Sequence, residues 1–109
     1  MTKRDFKIRI WIEEAQLMNR DPSALLFPAT IDEQDKYGFV IEEYTGVTCS
    51  YGFDIYNGDV LVDDDDGIVM GAVTYADGMY TVGDNWLIDA ASHGHVVGNI
   101  HENLELLEV

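Results

Sequence analysis

Two Asp-Gly pairs, Asp66-Gly67 and Asp77-Gly78, constrain this chain more than any other feature. They separate short runs rich in β-branched residues: Val60-Leu61-Val62, Ile68-Val69-Met70, Ala72-Val73-Thr74-Tyr75 and Met79-Tyr80-Thr81-Val82. Asp-Gly supplies the positive φ that tight hairpins require, and the flanking residues suit a pleated, half-buried surface. The stretch from Asp54 to Val82 therefore reads as a series of antiparallel hairpins on which the rest of the chain packs.

The surrounding segments extend that pattern. Lys3 to Ile12 alternates as a strand, with Phe6, Ile8 and Ile10 inward and the basic residues outward, where they can pair with acidic hairpins of the same chain. Glu13 to Arg20 suits a turn or short helical piece, and Asp21-Pro22-Ser23 suits a helix start that Pro28 ends. Ile31 to Lys36 reads as a loop, Tyr37 to Tyr44 as a strand and Thr45 to Gly52 as a loop. Beyond the hairpins, Trp86-Leu87-Ile88 reads as a strand, Ala90 to Gly94 as a loop, His95 to Ile100 as a last strand, and Asn103 to Leu107 as a closing turn with Leu104, Leu106 and Leu107 on the core. The expected fold is mainly β, one small domain over residues 1–109 built from antiparallel hairpins. A partly open, SH3-like barrel with a short helical or turn segment fits the pattern.

Charge divides the chain. All six basic residues (Lys3, Arg4, Lys7, Arg9, Arg20 and Lys36) precede Tyr37, whereas 14 of the 21 carboxylates follow it. The net charge of −15 repels nucleic acid and anionic membrane and attracts cationic partners. The lone Cys49 allows no internal disulfide and has no basic neighbour to activate its thiol. With no leader, lipidation signal or transmembrane stretch in view, a cytosolic location is expected.

No catalytic constellation stands out, and neither an enzyme nor a cofactor is expected. Asp63-Asp64-Asp65-Asp66-Gly67 invites a calcium reading, but no register supplies the Gly and the terminal Glu of an EF-hand together. What stays open there is a weak divalent-cation site or a solvated hairpin tip. His93, His95 and His101 lack a fourth ligand fixed by spacing, and Gly94 separates the first two, so no metal site is assigned.

Three blocks carry a family resemblance: KIRIWIEEAQLM (Lys7 to Met18), EYTGV (Glu43 to Val47) with DIYNGDVLV (Asp54 to Val62), and HVVGNIHENLELL (His95 to Leu107). GAVTYADGMY between them fits as well. In this order the blocks resemble the YopX family of phage and prophage proteins; residues 20–36 fall outside them. Asn57 and Leu104 stand where an acidic residue and a proline are usual in that family, and the loop from Thr48 to Phe53 lacks its lysines. The resemblance implies a mostly β fold and a phage or prophage origin, and carries no chemistry with it.

Charge and resemblance together lead to one functional expectation. The protein is a non-enzymatic, phage-encoded inhibitor in the host cytoplasm that imitates nucleic-acid charge to block a basic host protein, such as a nuclease or other nucleic-acid-binding defence protein. Its partner-binding residues would be Asp63, Asp64, Asp65 and Asp66, supported by Asp59, Asp77 and Asp84. The competing readings are an ordinary solvated acidic face, a weak cation binder, and an oligomeric assembly module of a phage joined through Trp11, Trp86 and Tyr80.

Overall fold

The computed structural model describes residues 7–20 and 38–107. They form nine strands: β1 (Ile8–Ile12), β2 (Leu17–Asn19), β3 (Phe39–Thr48), β4 (Asp54–Tyr56), β5 (Asp59–Asp63), β6 (Val69–Ala76), β7 (Met79–Val82), β8 (Asn85–Trp86) and β9 (Gly94–Asn99). One short helix, α1 (Leu87–Ser92), bridges β8 and β9, and a 3-10 turn spans Leu104–Leu107. The strands make two antiparallel sheets, one of four in the order β2-β1-β3-β4 and one of five in the order β8-β7-β6-β5-β9. The mainly β expectation holds.

The hairpin signal is borne out most directly at Asp77-Gly78. Ala76 pairs with Met79, so these two residues alone make the turn. Their φ values of 53° and 85° match a turn with positive φ at both central positions. The β5–β6 connection is longer: the amide of Asp63 donates to the carbonyl of Ile68 at 2.9 Å, and Asp64 to Gly67 fill the loop between them.

Four expectations of secondary structure change. β3 runs on to Thr48 through a bulge at Gly46, where the Thr45 hydroxyl donates to the Ile55 carbonyl at 2.8 Å, so Thr45 to Thr48 is strand and not loop. Trp86-Leu87-Ile88 leaves its strand after Trp86, and Leu87–Ser92 is helical because Leu87, Ala90 and Ala91 form one buried stripe over the larger sheet. That helix also replaces most of the loop expected at Ala90 to Gly94. Glu13 to Arg20 divides into a turn and the edge strand β2. The helix start at Asp21-Pro22 and the loop at Ile31 to Lys36 lie outside the described residues.

The principal core joins both sheets and the helix. Cys49, Ile55, Leu61, Val73, Val82, Leu87, Ala90 and Ala91 pack together, with Val47, Met70, Tyr80 and Val96 at the margin. Leu106 and Leu107 are half-buried, but Leu104 is exposed and does not join them. β5 is covered on both faces, so Asp59 is buried along with Val60, Leu61 and Val62. β1 is covered in the same way: Arg9 and Trp11 are as buried as Ile10, and the basic residues of this strand do not all face outward.

Candidate functional site

The burial of Arg9 follows from its partners. Its Nε donates to Oε1 of Glu42, the residue it opposes in β3, at 2.9 Å, and its Nη1 lies 2.6 Å from Oδ1 of Asp59. A buried guanidinium is tolerated only with such charge and hydrogen-bond compensation. The Tyr56 ring covers it, with the guanidinium carbon 4.9 Å from the ring centre. Nε2 of His101 lies 3.1 Å from the other oxygen of Glu42, and the His101 ring stacks on Trp11 at 5.0 Å. Burial pushes the Asp59 carboxyl above its ordinary value, and the Arg9 guanidinium pulls it back.

This cluster removes Asp59 from the set of candidate partner-binding residues. With its carboxylate occupied by Arg9 and the amide of Tyr56, it holds the two sheets together and cannot meet a partner. Trp11 is corrected likewise, since it is buried against His101 and offers no interface. A cleft of about 370 Å³ opens beside the cluster, with Tyr56, Asn99 and Arg20 among its walls. Two carboxylates already occupy the Arg9 guanidinium on its floor.

β5 carries the contrast. Its first residue, Asp59, lies in the ion cluster, and its last, Asp63, opens the acidic loop. Oδ1 of Asp63 accepts from the amides of Asp65 and Asp66 at 2.8 and 3.3 Å, and Oδ2 lies 3.1 Å from Nδ1 of His93. Asp66 in turn accepts from the amide of Ile68 at 2.8 Å. Asp64 lies 2.6 Å from Nδ1 of His95, whose ring stacks on Tyr51. The amide of Asp65 above all, with that of Asp66 and His93, holds Asp63 below the ordinary carboxylate value; Ser50 and then His95 do so for Asp64.

Topology brings Asp84 to the same end. It follows Gly83, whose backbone lies against Met70 at the start of β6, beside the acidic loop. Asp89, in the first turn of α1, is exposed nearby in the chain. Asp77 belongs elsewhere, because its hairpin closes the far end of β6. Asp63 to Asp66 and Asp84 are therefore gathered, Asp77 is apart and Asp59 is interior. Lys7 and Arg9 are drawn to Asp54, Glu42 and Asp59, away from the acidic loop. Among the described residues no group of three or more His, Cys, Asp or Glu is placed to hold a metal ion.

One feature has no counterpart in the charge pattern. Thr45, Val47, Met79, Tyr80, Trp86, Leu87 and Ile88 line an apolar pocket of about 180 Å³. Trp86 and Tyr80 stand out in the sequence as large aromatics, but the pocket itself was hidden because Leu87 and Ile88 read as strand and not as the start of a helix.

Among the described residues no helix is long and apolar enough to cross a membrane. No curated protein matches the chain. Among solved structures it is similar to protein EF1440 from Enterococcus faecalis, with a TM-score of 0.72 and 25% identity over 97% of this chain and 100% of that one. The family model described as YopX protein matches residues 11–108, running through residues 20–36 as well as the second and third blocks and the first block from Trp11 onward. Covering nearly the whole sequence, that match establishes that the chain belongs to the YopX family.

Proposed function

We propose that this protein is a non-enzymatic acidic binding protein of phage origin that acts in the host cytoplasm. It occupies the basic surface of a nucleic-acid-binding host protein, of the nuclease or defence class, in place of nucleic acid. The observation that carries the reading is the polarity along β5. Of the three described Lys and Arg residues, Lys7 and Arg9 are engaged by Asp54, Glu42 and Asp59, and Arg20 lines the cleft beside that cluster. Asp63 to Asp66 and Asp84 share the other end of the sheet, where among the described residues their ion-pair partners are His93 and His95. Carboxylates grouped in this way attract a cationic groove at long range and give a fast, salt-sensitive association.

The partner-binding residues in this reading are Asp65, Asp66 and Asp84, with Asp63 and Asp64 completing the negative field. Asp77 makes at most a separate contribution from the far hairpin. The test is capture from bacterial lysate at low and high salt, followed by competition of the captured protein with duplex DNA. The variant D65K/D84K changes two exposed side chains and leaves the fold intact. It is expected to weaken the association at least about tenfold and to flatten its dependence on salt. Unchanged affinity and salt dependence would remove the basis of the proposal.

A further inference from the structure

We infer that the apolar pocket beside α1 receives one large apolar side chain from a polypeptide whose neighbouring residues are lysine or arginine. It forms where Tyr80 of β7 and the start of α1 meet β3, with Leu87 as part of its floor. At its mouth Trp86 is 62% exposed, Ile88 72% and Met79 38%. Three large apolar groups left in water around one concavity cost free energy that a seated side chain recovers. A volume of about 180 Å³ holds one such side chain.

Charge selects the occupant. The hydroxyl of Tyr80, one of the lining residues, donates to Oε2 of Glu43 at 3.2 Å, which sets a carboxylate against the Tyr80 wall. Asp84 lies two residues before Trp86, Asp89 follows Ile88, and Asp77 lies two residues before Met79; all three are exposed. Every lining residue comes from the part of the chain that contains no Lys or Arg. A second copy of this chain would bring like charge to like charge, whereas a cationic segment with an apolar anchor satisfies both the pocket and its rim. This inference rests on the proposed function insofar as the partner is cationic, and it adds an anchoring contact that charge imitation alone does not require.

The test uses the full chain and three synthetic peptides of equal length: one with a single Phe among Lys and Arg residues, one with Ala replacing the Phe, and one with Gln replacing the basic residues. Methyl resonances of Met79 and Ile88, and backbone amide resonances of Asp65, Asp66 and Asp84, report binding. The basic Phe peptide is expected to shift both and to bind at least about tenfold tighter than either control. Ile88→Ala and Met79→Ala, both at exposed positions, should each weaken it several-fold without loss of fold. Equal binding of the Ala peptide, with shifts confined to Asp65, Asp66 and Asp84, would overturn the pocket while leaving the acidic end as the binding surface. Equal binding of the Gln peptide would overturn the cationic occupant and weigh against the proposed function as well. Self-association that covers Ile88 and excludes the peptide, or an absence of shifts at Met79 and Ile88 with all three peptides, would also overturn it.

Discussion

Nη1 of Arg9 in the four-stranded sheet lies 2.6 Å from Oδ1 of Asp59 in the five-stranded sheet, with both side chains almost wholly buried. Glu42 completes the cluster from β3 at 2.9 Å, and His101 approaches it from beyond β9. The junction between the sheets is thus ionic as well as apolar, in a protein whose cations are scarce.

Arg9→Met should therefore be severe. It leaves Glu42 and Asp59 as buried carboxylates without their cation, and breaking a buried pair from one side costs roughly 3–5 kcal/mol. Arg9→Lys retains a charge but cannot reach both carboxylates as a planar fork does, so it should fall between wild type and Arg9→Met. Urea denaturation measures both, and a loss below about 1 kcal/mol for Arg9→Met would contradict the role given to the cluster.

Gly83 is a second sensitive point, because it holds the end of β7 against β6. Its φ is +59°, and an added Cβ would lie 2.6 Å from the carbonyl oxygen of Met70. Gly46, in the β3 bulge, has φ +85° but open space around it. Both alanine variants carry the strain of a left-handed backbone, about 1–2 kcal/mol, and only Gly83→Ala adds a clash with main chain. Gly83→Ala should be the more destabilised of the two by at least about 1 kcal/mol in thermal or urea unfolding.

The parts of this structure that were legible in the sequence are those in which local chemistry and tertiary packing agree. Asp77-Gly78 makes its turn from its own φ values, and β5, β6 and β7 follow from β-branched runs on either side. Leu87–Ser92 was illegible because a short apolar run after Trp86 suits a strand as well as a helix, and no side chain caps its start. Arg9 and Asp59 were misplaced for another reason. Alternation assigns a residue to a face of its strand but does not tell whether a second layer covers that face, and the partners of Arg9 lie 33 and 50 residues away along the chain. The acidic loop was legible as charge, whereas its separation from Asp77 depends on which end of β6 each hairpin closes.

Cys49 is 4% exposed within the principal core, and its carbonyl accepts from the amide of Gly52 in a closed turn. A thiol reagent should label it only when the structure opens. Labelling with an aromatic disulfide reagent is expected to be slow in native buffer and to accelerate through the urea transition in parallel with the loss of near-UV circular dichroism. Rapid stoichiometric labelling of the native protein would show that the region around Cys49 opens independently of the core.

The two ends of β5 should respond to acid in opposite senses. Asp63 and Asp64 have folded values below the ordinary 3.8, so their contribution to stability is fully present above that value and is lost as pH falls through their folded values. Asp59 has a raised folded value, so the folded state holds its proton more tightly than the unfolded state does. Its contribution is present below 3.8 and is lost as pH rises through the folded value. Removing the acidic-loop carboxylate with Asp63→Ala, which also deletes the acceptor for the amides of Asp65 and Asp66, should flatten the fall in stability on the acid side of about pH 4. Asp59→Asn should remove the opposite slope above that pH, at a cost to overall stability because Arg9 loses one of its two anions. Urea midpoints measured at closely spaced pH values distinguish the two, and identical pH profiles for wild type and Asp63→Ala would show that the loop hydrogen bonds contribute nothing to folding.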